Sequence, residues 1–205
     1  FLPLVIILKS TGEGEIFFIQ DRIGKKGKVF GLFKFATMLK DSPNIGTRTV
    51  TMKNDPRVLP IGKFLRKTKI NELPQLLNIL FGQMSIIGPR PLTVQTFSSY
   101  TVDTQNAIKQ VRPGLSGVGS IIFRGEEEIM YGAKASVDFY DNVIAPYKGA
   151  LEEWYVSNRN LYIYFMLIII TVWIVIFPKT KLQWVVLKGL PVPPKELKPI
   201  LNFTE

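Results

Sequence analysis

The sequence predicts an α+β fold: a mostly helical, membrane-associated domain with a small β-hairpin, an apolar helical remnant at the N-terminus and an apolar helix near the C-terminus. Three observations predict it. Two uncharged apolar stretches, Phe1-Leu-Pro-Leu-Val-Ile-Ile-Leu8 and residues 161–177, stand near the ends of a 205-residue chain. Two short apolar runs flank the basic, Gly-rich turn Arg22-Ile-Gly-Lys-Lys-Gly-Lys28, which is a hairpin signature. Leu73, Leu76, Leu77 and Leu80 recur at helical spacing.

Each element follows from local chemistry. Residues 1–9 read as the end of a membrane-inserted helix that Pro3 breaks or kinks. The missing starting Met suggests an incomplete N-terminus preceded by more apolar chain. The turn Thr11-Gly-Glu-Gly14 leads to a strand near Ile16-Phe-Phe-Ile19, and a second strand runs from Val29 to Phe35. Pro43, Gly46, Pro56 and Pro60 mark residues 41–60 as an extended loop. An amphipathic stretch covers residues 61–69. The leucine helix follows, with Asn71 as N-cap, Pro74 in its first turn and Gly82 at its end. Residues 84–91 read as a Pro-rich loop, 94–110 as a helix and 111–125 as a Gly-rich loop with a short apolar strand. Residues 136–156 read as a helix broken near Pro146. Residues 161–177 sit at the low limit of the roughly 17–25 residues that span a bilayer, so a membrane or interfacial helix competes with a core helix. Membrane contact is favoured, with Tyr155, Tyr162, Tyr164 and Trp173 as interface anchors and Lys179 and Lys181 among headgroups. The tail from Lys188 is Pro-rich and expected to be extended.

Composition narrows the chemistry. Lys and Arg number 26 against 16 Asp and Glu, a formal charge of +10. That balance attracts polyanions. With 46% apolar residues and a positive mean hydropathy, a membrane surface fits better than free nucleic acid. The chain has no Cys and no His. Disulfides, thiolate metal sites and Ser-His or Cys-His nucleophile systems are therefore excluded. Carboxylates, Lys, Arg, Tyr, hydroxyls or an oxygen-bound metal must carry any reaction.

Three motifs offer such groups. Thr68-Lys-Ile-Asn-Glu-Leu-Pro-Gln75 places Asn71 and Glu72 at an expected helix start, where backbone N–H groups favour phosphate; a plain capping role is the simpler alternative. In Gly88-Pro-Arg-Pro91, two prolines restrict the backbone around Arg90, which suits phosphate recognition, though a rigid surface turn would look the same. Arg112-Pro-Gly114 repeats that device. Lys53, Arg57, Lys63, Arg66, Lys67 and Lys69 form a basic segment opposed only by Asp55. Beside two rigidly presented arginines it reads as a site for diphosphate or lipid phosphate rather than a solvated face. Gly24-Lys-Lys-Gly-Lys28 lacks the spacing and hydroxyl of a Walker A loop.

Seven stretches together resemble the bacterial sugar transferase family of monotopic phosphoglycosyl transferases, over about residues 1 to 190. They are Ile16-Phe-Phe-Ile-Gln-Asp-Arg-Ile-Gly24, Lys34-Phe-Ala-Thr-Met38, Asn54-Asp-Pro-Arg57, Gly62-Lys-Phe-Leu-Arg-Lys67, Asn71-Glu-Leu-Pro-Gln75, Met84-Ser-Ile-Ile-Gly-Pro-Arg-Pro91 and Arg112-Pro-Gly-Leu-Ser-Gly117. The resemblance implies transfer of a sugar-1-phosphate from a UDP-sugar to a polyprenyl phosphate, with Mg²⁺ and release of UMP. It implies a re-entrant N-terminal helix, truncated here, with Pro3 as counterpart of the proline at its bend. It places the active site at the cytoplasmic face of the bacterial inner membrane, under amphipathic helices. The implied organisation is an anchor remnant over residues 1–10, a catalytic domain over 11–160, the apolar helix over 161–177 and a tail over 178–205. Lys34, Arg57, Arg66, Arg90 and Arg112 are the expected phosphate-binding residues.

The family's catalytic pair is Asp-Glu, the Asp attacking the β-phosphate and the Glu associated with the metal. Here Asn71 stands in the Asp position and Glu72 is retained; Ala36 stands where the family usually has Arg. An amide does not form an acyl phosphate as a carboxylate does. Three readings stay open: Glu72 as nucleophile, direct attack by the lipid phosphate supported by Mg²⁺ and the arginines, or a catalytically silent protein acting as a membrane scaffold. A working enzyme using Glu72, as nucleophile or metal ligand, ranks first, with Asp55 as a second carboxylate candidate. Membrane lipid is an expected partner, nucleic acid is not, and a homo-oligomer is left open.

Overall fold

The computed structural model describes residues 2–11, 13–45, 55–124, 137–177 and 180–203. Helices dominate, and two small two-stranded sheets sit among them. The α+β expectation holds in that form.

Helix α1 (Leu2–Ser10) opens the chain. Pro3 lies in its first turn, where a missing N–H has no intrahelical partner to lose, so no break appears. Leu8 packs against Phe35 and Leu65 in a small core of its own. Strands β1 (Phe17–Ile23) and β2 (Val29–Phe35) form the expected antiparallel hairpin, in register from Phe17 opposite Phe35 to Ile23 opposite Val29. Paired residues share a face, so Gln20, Arg22, Leu32 and Lys34 lie on one side of the ribbon. The turn closes through Gly27 at φ 74° and Lys26 at φ 60°, and the Lys26 N–H is tied to Lys109 O at 2.7 Å.

Within the expected loop after β2, Met38 bridges Val58. Helix α2 (Pro60–Lys67) starts on Pro60 and buries Leu65. Gly62 allows it to cross Thr37, because a Cβ there would lie 2.1 Å from Thr37 O. A 3₁₀ turn (Ile70–Glu72) follows, entered through Lys69 at φ 60°. The leucine helix α3 (Gln75–Leu80) then starts later than the sequence suggested. Asn71 is not its cap; Pro74 holds that position and Asn71 is buried in the preceding turn.

Helix α3 is inverted relative to a core helix. Gln75 and Asn78 are buried, while Leu73, Leu76, Leu77 and Leu80 face outward, Leu80 being 79% exposed. Asn78 explains how polar residues come to be inside. Its Nδ2 donates to Gly31 O at 2.8 Å and to Gln83 Oε1 at 2.7 Å, and its Oδ1 accepts from Phe33 N at 3.0 Å. The amide thus satisfies the free edge of β2 as a neighbouring strand would.

The expected Pro-rich loop contains strand β3 (Ser85–Ile87), which pairs in parallel with β4 (Gly114–Ser116). Parallel pairing needs a crossover, and two short helices supply it. They are α4 (Val94–Ser98) and α5 (Val102–Ile108), each capped by a threonine, Thr93 and Thr101. One helix over 94–110 is therefore corrected to two. The apolar residues after β4 form α6 (Val118–Ile122) rather than a strand.

The main core lies between α6, α7 (Ala145–Asn158) and α8 (Leu161–Ile176). A π-turn (Tyr140–Ile144) precedes α7, and the break expected near Pro146 takes this form. Leu167, Ile170 and Ile174 bury one face of α8 while Phe165, Ile169, Val172 and Ile176 stay exposed. Among the described residues no helix is long and apolar enough to cross a membrane. Tyr155 is buried and is no interface anchor; Tyr162 and Trp173 are exposed, and Tyr164 shares a hydrogen bond with Ser85. Lys179 lies outside the described residues. The tail is not extended. Helix α9 (Leu182–Val186) and the turns after it return to the core through Leu187, Leu197 and Leu201, and Trp184 Nε1 donates to Leu201 O.

Replacing Asn78 by Ala strands the Phe33 N–H and the Gly31 carbonyl together. Unfolding free energy is expected to fall by about 2–4 kcal/mol, read by chemical denaturation, with unfolding cooperativity retained.

Candidate functional site

Three segments converge on Glu72. The hairpin face brings Lys34 and Arg22, the 3₁₀ turn brings Glu72 and Asn71, and the loop after β3 brings Arg90. Glu72 is 16% exposed and pairs with the half-exposed Arg90 at 3.6 Å. A pocket between these segments is lined by Arg22, Lys34, Gln75, Arg90 and the backbone of Gly114.

Rigid parts hold this geometry. Lys34 sits on a strand braced by Asn78. Arg22 Nη1 donates to Pro91 O at 3.0 Å and Nη2 to Gln20 Oε1 at 2.5 Å, which fixes the hairpin to the Arg90 loop. The loop itself passes very close to the segment after Arg112. A Cβ on Gly114 would lie 2.1 Å from Gly88 N, and one on Gly117 would lie 2.1 Å from Gly88 O. No other residue type fits those crossings.

The electrostatics are lopsided. Burial alone would raise the Glu72 carboxyl, but Arg90, Lys34 and Lys69 outweigh it and hold the group below its ordinary value. Burial pushes the Lys34 ammonium down to about 7; Glu72 opposes the fall, while Arg90, Arg22 and Arg66 add to it. Burial and neighbouring Arg90 likewise lower Arg22 to about 10. Among the described residues, one ionised carboxylate therefore faces several crowded cations. Such a pocket is built to take further negative charge. Helix α3 has too few turns to act as the anion site expected at its N-terminus; the cations do that work.

Two buried atoms in the site have no hydrogen-bond partner: Asn71 Oδ1 and Arg22 Nε. Among the described residues no three acidic side chains cluster as a metal cage. Glu72 and the unpartnered Asn71 Oδ1 supply oxygen donors of the type that a hard divalent cation takes.

The sequence-level candidates divide. Glu72, Asn71, Lys34 and Arg90 come together, and Arg66 is near enough to act on Lys34. Asp55 and Arg57 stand apart from the Glu72 cluster as described and pair with each other. Both are buried; Arg57 Nε donates to Asp55 Oδ1 at 2.9 Å and Nη2 to Oδ2 at 2.5 Å. Arg57 Nη1 also donates to Ser42 O and Ile45 O, so the pair staples the loop after β2. Asn54 and Lys53 lie outside the described residues. Arg112 is exposed, beside Gly82 at the end of α3, and is not among the residues lining the pocket. Arg22 and Gln75 are the residues that sequence reasoning missed. Strand alternation carried a signal for Arg22, because it shares a face with Lys34. Nothing in the leucine pattern marked Gln75 as inward.

Comparison with known proteins adds a second line. A family model described as bacterial sugar transferase matches residues 1–178. A UDP-glucose:undecaprenyl-phosphate glucose-1-phosphate transferase of Klebsiella pneumoniae is 36% identical over 143 residues, covering 67% of this chain and 30% of that protein. An undecaprenyl-phosphate galactose phosphotransferase of Salmonella typhimurium is 30% identical over 177 residues, covering 78% of this chain and 34% of that protein. An uncharacterized sugar transferase of Haemophilus influenzae is 31% identical over 175 residues, covering 78% and 33%. The chain thus spans about a third of the length of these relatives.

Lys34 is held at a cost that the fold does not need. The unfolded chain keeps its proton to about 10.5, whereas the folded chain releases it near 7. The unfolded state binds more protons across that window, so stability rises as pH climbs from about 7 towards 10.5. Lys34→Met should remove this dependence and raise the thermal midpoint at pH 7, by about 2–4 °C for each kcal/mol relieved. The same variant should lose affinity for inorganic diphosphate, measured by calorimetry.

Proposed function

The chain belongs to the bacterial sugar transferase family, and on that premise we propose that it moves a sugar-1-phosphate from a UDP-sugar to a polyprenyl phosphate. The products are UMP and a polyprenyl-diphospho-sugar. One observation carries the reading at the level of the site: among the described residues the Glu72 carboxylate, held below its ordinary value, sits among Lys34, Arg22 and Arg90. Two relatives bear names that specify undecaprenyl phosphate as acceptor of glucose phosphate or galactose phosphate.

The residues take roles that their chemistry supports. Arg90, Lys34 and Arg22 bind the diphosphate and offset charge as the leaving UMP departs. The Glu72 carboxylate attacks the β-phosphorus, forming an acyl phosphate as the bond to the UMP oxygen breaks. A polyprenyl phosphate oxygen then attacks the same phosphorus and releases Glu72 as carboxylate. Asn71 is the wrong nucleophile, because its amide nitrogen is not basic; its unpartnered Oδ1 is suited to a metal instead. Bound Mg²⁺ would be held by Glu72 and Asn71 and would neutralise diphosphate charge.

Membrane placement follows from the same surface. Leu73, Leu76, Leu77, Leu80 and Phe81 are exposed immediately after Glu72, and the outer face of α8 is apolar throughout. Both suit the hydrocarbon boundary of a bilayer, where a polyprenyl chain resides. The cytoplasmic face of the bacterial inner membrane is the proposed location.

A screen of UDP-sugars with undecaprenyl phosphate and Mg²⁺, read by UMP release, tests the reading. Glu72→Gln should lower release by about 100-fold or more, as expected on losing a group that acts in the transition state. Asn71→Asp should keep or raise the rate. Full activity of Glu72→Gln would overturn its assignment.

A further inference from the structure

Helix α7 presents a second carboxylate to the site from behind. Glu152 is 6% exposed and lies between α6 and the loop Gly88-Pro-Arg-Pro91. The backbone N–H groups of Arg90 and Gly119 lie close enough to its carboxylate to favour the ionised form. Gly119 leaves the room: a Cβ there would lie 2.5 Å from Glu152 Oε1. One turn earlier, Lys148 is buried with its ammonium 5.0 Å from the Phe123 ring centroid, and it lends positive charge to Glu152. One turn later, the Tyr155 hydroxyl donates to Ile87 O at 3.4 Å. The inner face of α7 therefore touches the Arg90 loop at two levels.

The sequence of that loop makes the contact with Glu152 specific. Pro89 and Pro91 have no N–H, so Arg90 carries the only backbone donor between them. Glu152 lies beside it. The Arg90 guanidinium pairs with Glu72 at 3.6 Å, and its charge also reaches Glu152. Burying an ionisable group is expensive, and an apolar residue would pack α7 against α6 at less cost. Glu152 Oε2 still lacks a hydrogen-bond partner, and burial pushes the carboxyl up to about 7. A costly residue kept beside the one backbone donor between the two prolines points to a task beyond packing.

We propose that Glu152 is a positioning residue for the transfer reaction, holding the Arg90 peptide so that its guanidinium stays aimed at Glu72 and the diphosphate. This rests on the transferase reading of the site. It adds a residue that does not touch substrate and acts only through Arg90.

The test is a double-mutant cycle on UMP release, combined with amide hydrogen exchange on the wild-type chain. Glu152→Ala should lower kcat/KM about tenfold or more in the wild-type background, and less than about threefold in an Arg90→Ala background, because the two residues act as one unit. Glu152→Gln, which keeps one acceptor oxygen, should fall between wild type and Glu152→Ala. A residue that merely supports the fold would give the same loss in both backgrounds, and that additivity would overturn the proposal. Exchange needs neither a variant nor turnover. The Arg90 amide should be protected although its side chain is half exposed, and exchange at the unstructured rate would equally overturn the proposal. A protected Arg90 amide in a chain that releases no UMP from any UDP-sugar would count against the transferase reading and leave the contact standing.

Discussion

One buried amide holds the site together. Asn78 fills the free edge of β2 with a donor and an acceptor spaced like those of a strand. A two-stranded ribbon has little stability alone. Here its second edge is closed by the side chain of the helix that follows Glu72. The strand that carries Lys34 and the turn that carries Glu72 are thereby fixed to each other through hydrogen bonds in a dry place. Those bonds are short-range and directional, so they set position more sharply than apolar packing does. The inversion of α3 follows. With Gln75 and Asn78 claimed by the interior, the leucines have only the outside left.

The third wall of the site uses a different device. Gly88, Gly114 and Gly117 let two backbone segments run almost in contact, and the parallel pair β3 and β4 locks them there. Arg90 leaves from this crossing with prolines on either side. The main core under α6, α7 and α8 gives the crossing a solid base, and Glu152 reaches up from that base. Hydrogen bonds on one side and glycine contacts on the other bring like charges nearer than they would approach unaided. The stability that this costs is recovered in the apolar core, some distance from the charges.

Much of this was legible in the sequence, and the failures share a cause. The hairpin was readable because two short apolar runs flank the Gly-Lys-Lys-Gly turn. Glu72 and Arg90 were readable because each lies in a short motif with a proline nearby, and Lys34 through the family resemblance alone. The edge of α3 was misplaced because Asn71 is a good cap by type, while the chain takes a left-handed step at Lys69 and makes a 3₁₀ turn first. Asp55 and Arg57 looked like site residues because charge type says nothing about which charges meet. Two residues apart across Pro56, they satisfy each other. The Pro-rich tail hid its role because its few apolar residues, such as Leu197 and Leu201, are spaced among prolines and charges, and only the tertiary fold supplies the core they join. Glu152 depends on long-range approach, which no local pattern encodes.

The crowding of Lys34, Arg22 and Arg90 around one carboxylate also bears on timing. Their repulsion is relieved when an anion arrives and returns when it leaves. Departure is therefore the uphill part of any cycle, and it is easiest when a second anion is already moving in. A pocket charged this way favours hand-over from one phosphate to the next, and displacement sets its clock.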